Sequence, residues 1–79
     1  MNKSRSKKIV AISEKITELM EELQDLKDTE EEYYDNLSEK MQESDKGEFS
    51  NECVSSMENA LSELENAAEN LMNCDMSDD

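Results

Sequence analysis

The chain has 79 residues, no proline, one glycine, no histidine and only three aromatics, and its 22 acidic residues against 8 basic ones give a net charge of −14. That length allows one domain with a modest core, and the composition suits long helices rather than strands. The charge opposes direct contact with nucleic acid or an anionic membrane, and no His, Gly-rich phosphate loop or nucleophile with a recognisable base is present, so no enzyme is expected.

The first fifteen residues depart from this balance. Lys3, Arg5, Lys7, Lys8 and Lys15 stand against Glu14, a local charge of +4, so residues 16–79 carry −14 less +4, or −18. The apolar run Ile9 to Ile12 is far shorter than a signal-peptide core or a membrane span of about 20 residues, which leads us to expect an unprocessed, soluble, cytoplasmic protein. From about Ser4 to Asn36 one helix is expected, because Ile9, Ile12, Ile16, Leu19, Leu23 and Leu26 recur at steps of three and four, the a/d pattern of a coiled coil. Tyr33 and Leu37 continue the register. Glu30 interrupts it at an a position, and Thr29 with Glu32 has capping-box spacing, so the alternative is a kink or restart near Asp28. Glu30 itself is expected to face solvent near the hairpin end or to mark that break.

On the outer side of the same helix, Glu14, Glu18, Glu21, Asp25, Asp28, Glu32 and Asp35 follow one another at steps of four and three. They advance about 5 Å per charge along the axis, close to the 3.4 Å per phosphate of a DNA strand, so mimicry of a nucleic-acid backbone is geometrically allowed. Heptad outer positions are usually polar, and solubility alone accounts for acids there. Exclusivity is what solubility does not explain: the equivalent positions of the second helix, Glu52, Ser56, Asn59, Glu63, Asn66, Asn70 and Asn73, are mostly neutral.

Residues 37–44 form the predicted turn region, with a single helical turn from Ser38 to Gln42 and Ser44 as the N-cap of a second helix of about Asp45 to Asn73. An acidic tail, 74–79, follows. Doubling back places Asp75, Asp78 and Asp79 beside the basic head, which explains Lys3 to Lys8 without a ligand. The second helix has its own seam, Val54, Met57, Leu61, Leu64, Ala68 and Leu71, flanked at steps of seven by Cys53, Ala60, Ala67 and Cys74. An apolar face three positions wide suits a helix that touches two neighbours, so the hairpin is expected to dimerise into a four-helix bundle through Val54, Met57, Ala60, Leu61, Leu64, Ala67, Ala68 and Leu71. Tyr33, Tyr34 and Phe49 all fall near the turn, as tip packing or, where exposed beside acids, as a partner contact.

Metal chemistry finds no template. Cys53 and Cys74 lie about 30 Å apart on one helix, beyond the roughly 7 Å between Cα atoms that a disulfide spans, and two isolated Cys without His make no zinc site. Reduced thiols are expected, with intermolecular pairing the alternative. Placing Gly47 at position six of an EF-hand loop puts Gln42 at position one, Lys46 at five and Cys53 at twelve, where oxygen ligands are required. A di-iron bundle needs Glu-x-x-His, which the chain lacks. No metal and no cofactor are expected.

The stretch Glu31-Glu32-Tyr33-Tyr34-Asp35-Asn36-Leu37, followed by Ser44-Asp45-Lys46-Gly47-Glu48, resembles a pattern in small acidic proteins of phages and prophages of Gram-positive bacteria. There it runs approximately EYYDNMP, ENLQ, SERGE and then an amphipathic Glu/Ala/Leu-rich helix; the resemblance covers about residues 28–72. Ser38 stands where that family commonly has Pro, which weakens the sharp helix stop. The resemblance implies a phage or mobile-element setting, in which small acidic proteins often bind and inhibit host machinery, and no catalytic residues.

The sequence thus predicts an all-α antiparallel helical hairpin. It is expected to bind a host protein, through Glu18, Glu21, Asp25, Asp28, Glu32 and Asp35 with Tyr34, at a surface that otherwise serves nucleic acid. The alternative is a structural or assembly protein that acts through its apolar seam. A third reading, in which Lys3, Arg5, Lys7 and Lys8 touch DNA, is the weakest.

Overall fold

A computed structural model describes residues 2–75 of the chain. Helix α1 runs Lys3–Asp35, a single turn α2 runs Glu39–Gln42, and helix α3 runs Asp45–Asp75; no strand occurs among the described residues. Each helix begins at a residue able to satisfy its first free N–H groups. Asn2 Oδ1 accepts from the Arg5 amide at 2.9 Å, Ser38 Oγ from the Met41 amide at 3.3 Å, and Ser44 Oγ from the Gly47 amide at 3.4 Å.

α1 is continuous through Asp28. Thr29 does not cap a new helix; its hydroxyl donates to the Asp25 carbonyl oxygen at 2.9 Å, a bond a mid-helix threonine makes without breaking the ladder. The turn is drawn tight by Gln42, whose side-chain amide donates to the Tyr34 carbonyl at 3.0 Å, and by Ser44, whose hydroxyl donates to the Met41 carbonyl. Gly47 is buried at the start of α3 because the backbone of α2 passes over it: a Cβ there would collide with the carbonyl oxygens of Gln42 and Met41. The expected pairing of the basic head with Asp75, Asp78 and Asp79 rests on side chains that lie outside the described ones.

α3 packs antiparallel along α1, giving a rod of 59 × 14 × 12 Å. Its radius of gyration, 17.8 Å, compares with about 12 Å for a compact domain of this length. Only one apolar side chain among the described residues is buried, Val54 at 8% exposure. The other buried side chains are small and polar, Ser13 and Ser50, which let the two backbones come close.

Here the structure corrects the predicted seam. The a residues Ile9, Ile16, Leu23 and Leu37 are half-buried, but the residues next to them on the α3 side are Ser13, Met20, Lys27 and Tyr34, not the d residues. The d row, Ile12, Leu19, Leu26 and Tyr33, stays 48–58% exposed. The apolar surface of α1 is wider than one hairpin contact can cover, and α3 takes the edge that carries the small side chains.

Candidate functional site

The seven stripe residues, Glu14, Glu18, Glu21, Asp25, Asp28, Glu32 and Asp35, are all exposed. They follow the outer flank of α1, and two of them, Glu21 and Asp25, also line a hollow between α1 and α3. None of them is in an ion pair among the described residues; Asp28 accepts one hydrogen bond from Gln24 at 2.9 Å. Unneutralised carboxylates along one edge sum into a negative potential that a cationic surface can meet without first breaking internal pairs.

The ion pairs that do exist lie at the hairpin contact. Lys27 Nζ sits 3.0 Å from Glu31 and 3.8 Å from Glu58 across on α3. The hydrogen bond to Glu31, with the neighbouring Glu58 and Asp28 charges, holds the Lys27 ammonium above its ordinary pKa of 10.5, against a smaller opposing effect of desolvation. Its aliphatic stem covers the α1–α3 contact while the ammonium meets the acids. Glu30 is also engaged, contrary to expectation: it is half-buried and accepts a 2.7 Å hydrogen bond from the hydroxyl of Ser50, itself 1% exposed.

The two broad faces of the hairpin differ. One carries an open hollow of about 990 Å³ between the helices, with Ser13, Thr17, Gln24 and Glu65 around Met20 and Leu61. Tyr34 lies on this side, half-buried in a smaller hollow with Val54 and Glu58, so it is not the exposed aromatic the sequence suggested. On the other face, Tyr33 and Phe49 border one hollow together with Lys46. From Tyr33 the exposed row runs back at steps of seven through Leu26, Leu19 and Ile12; from Lys46 the α3 row runs at the same step through Cys53, Ala60, Ala67 and Cys74, all half-buried. A row of large apolar groups therefore lies beside a row of small ones, with Phe49 at 68% exposure closing the end.

Of the residues expected at an oligomer interface, Val54 is used inside the hairpin, and Met57, Ala60, Leu61, Leu64, Ala67, Ala68 and Leu71 are half-buried by it. The sequence reading left the Ile12 row out of that surface, although its step of seven was visible. Both cysteines are free thiols, and no cluster of three or more potential metal ligands occurs among the described residues. Among the described residues no helix is long and apolar enough to cross a membrane. No protein family, curated protein or solved structure matches this chain.

Proposed function

We propose that the chain acts by binding rather than by catalysis: it joins a second copy through the open apolar face and offers the acid stripe to a basic surface on a partner protein. The observation that carries the partner reading is the stripe itself, seven exposed carboxylates without an ion pair among the described residues, set along about 30 Å of helix. The cationic groove of a nucleic-acid-binding protein fits such a row, because it is built to meet regularly spaced negative charge. With the resemblance to phage proteins, this makes the chain an inhibitor of a host defence or DNA-processing factor in the host cytoplasm. It uses no cofactor and touches neither nucleic acid nor membrane directly.

The test is capture of partners from host lysate with the tagged protein, repeated with excess double-stranded DNA and with raised salt. A DNA-binding protein displaced by both supports the reading. Reversing Glu21, Asp25 and Asp28 to Lys should abolish that capture while circular dichroism stays helical; undiminished capture by the reversed protein sinks the idea.

The open row favours a second reading, an assembly protein whose functional surface is apolar and whose charge only keeps it dispersed. Under that reading, capture resists salt and is lost on Leu19→Asp or Leu26→Asp, the two exposed leucines of that row, with the isolated variant still helical.

A further inference from the structure

The chain exposes 6069 Å², whereas a compact protein of 9.1 kDa exposes about 4,900 Å². The excess is about 1,200 Å² per chain, or about 2,400 Å² for two, which falls in the range buried by permanent homodimers. Of the seven exposed large hydrophobic residues among the described ones, five, Ile12, Leu19, Leu26, Tyr33 and Phe49, lie on the open face.

The face also carries its own symmetry. On α1, Ile12 and Leu26 lie equally far from Leu19, and beside this row Lys15 and Glu22 are placed almost evenly about the same point. On α3, the row Cys53, Ala60, Ala67, Cys74 reads the same in both directions about its midpoint, between Glu63 and Leu64. The two midpoints are level. The cross-hairpin pairs Glu30–Ser50 and Lys27–Glu58 have residue numbers that total 80 and 85, so residue 19 stands opposite about residue 63.

We infer that two copies pack open face to open face about a two-fold axis that crosses the hairpins at Leu19 and Leu64, with α1 against α1, α3 against α3, and the two tips at opposite ends. This inference rests on the self-association proposed above and assigns its register. Leu19 then meets its own copy, Ile12 meets Leu26, and the small residues let the two α3 helices approach closely, Ala60 by Ala67 and Cys53 by Cys74. Lys15 of each copy meets Glu22 of the other; neither is in an ion pair within the chain among the described residues. Lys3, Arg5 and Lys8 come level with Asp35, Tyr33 and Glu30 of the second copy, setting a basic head against the acidic end of its α1. The other two-fold arrangement, tips together with α1 over α3, does not bring Lys15 to Glu22. In the register inferred here the two acid stripes run antiparallel on one edge of the bundle, fourteen carboxylates in one field; with tips together they lie on opposite edges.

Two experiments test this. Light scattering of the full chain should give twice 9.1 kDa. Lys15→Glu should weaken the dimer about tenfold by setting acid against Glu22 of the other copy, and adding Glu22→Lys should restore it. For the register, Lys40→Cys in a chain carrying Cys53→Ala and Cys74→Ala places a spin label at the exposed tip, away from the face. The inferred register gives a separation of about 55 Å between the two tips, and tips together give about 20 Å. A monomeric mass for the unaltered chain overturns both the register and the self-association beneath it. A dimer with the short separation, or one that Lys15→Glu with Glu22→Lys fails to restore, overturns the register alone.

Discussion

The two faces of the hairpin invert the usual relation between burial and polarity. At the contact between the helices the most buried side chains are Ser13, Ser50 and Val54, with Glu30 and the Lys27–Glu31–Glu58 bridge beside half-buried apolar residues such as Ile16, Leu23, Leu61 and Leu64. On the open face lie Ile12, Leu19, Leu26, Tyr33 and Phe49, each roughly half exposed or more. Small polar groups set how closely two backbones approach but contribute little transfer free energy, which comes mainly from covering large apolar side chains. The small residues at the hairpin contact therefore fix how closely the helices approach, and the open face is apolar area that the proposed dimer would cover.

Substitutions on the two faces should differ accordingly. Leu19→Asp with Leu26→Asp should have the largest effect, removing about 4 kcal/mol or more from the stability of the proposed dimer, because each Leu has about half its burial to gain there and each Asp would be sealed in without a partner. The double variant should scatter light as a monomer and melt at a temperature below that of the parent. The parent's own melting temperature should rise with protein concentration, as mass action requires of a dimer. A parent melt independent of concentration would break the comparison between the faces.

Gly47→Ala comes next, at about 2–3 kcal/mol, since its Cβ meets two backbone carbonyl oxygens and not a side chain that can swing aside. Chemical denaturation should show the loss, and the α2–α3 turn should exchange its amide protons faster. Ser50→Ala should cost about 1–2 kcal/mol by leaving the half-buried Glu30 carboxylate without its donor. Adding Glu30→Leu should recover most of that, because replacing both partners removes the unpaired group. A double variant no more stable than Ser50→Ala would mean that Glu30 is held by solvent and not by Ser50.

How far the sequence revealed this arrangement depends on the kind of signal. The helix ends were legible because capping is local: Ser38 and Ser44 carry hydroxyls where free amides need them, and both accept those bonds. The acid stripe was legible because a period of three and four fixes one flank whatever packs on the other. The choice of rows on α1 was not. Ile12 and Ser13 flank the a row on opposite sides, and hydropathy favours the Ile12 side for the contact, while close antiparallel approach favours the Ser13 side; only the second chain segment decides between them. The Glu30–Ser50 bond was hidden for the same reason, since each residue alone reads as a solvent group and their pairing spans twenty positions.

The smallest effect belongs to Lys27, and pH brings it out. Its pKa is raised by the hydrogen bond to Glu31 and by the acids around it, so the folded state holds the proton more tightly than the unfolded chain. Stability from this proton is then fully present below the ordinary value of 10.5 and is lost as pH climbs through the raised one. Lys27→Met keeps the stem that covers the contact and removes the charge. The parent should melt slightly above Lys27→Met at neutral pH, and the gap should close above about pH 10.5. A gap that persists at high pH would mean that Lys27 contributes through its stem alone, and the polar face would then also be held by apolar contact.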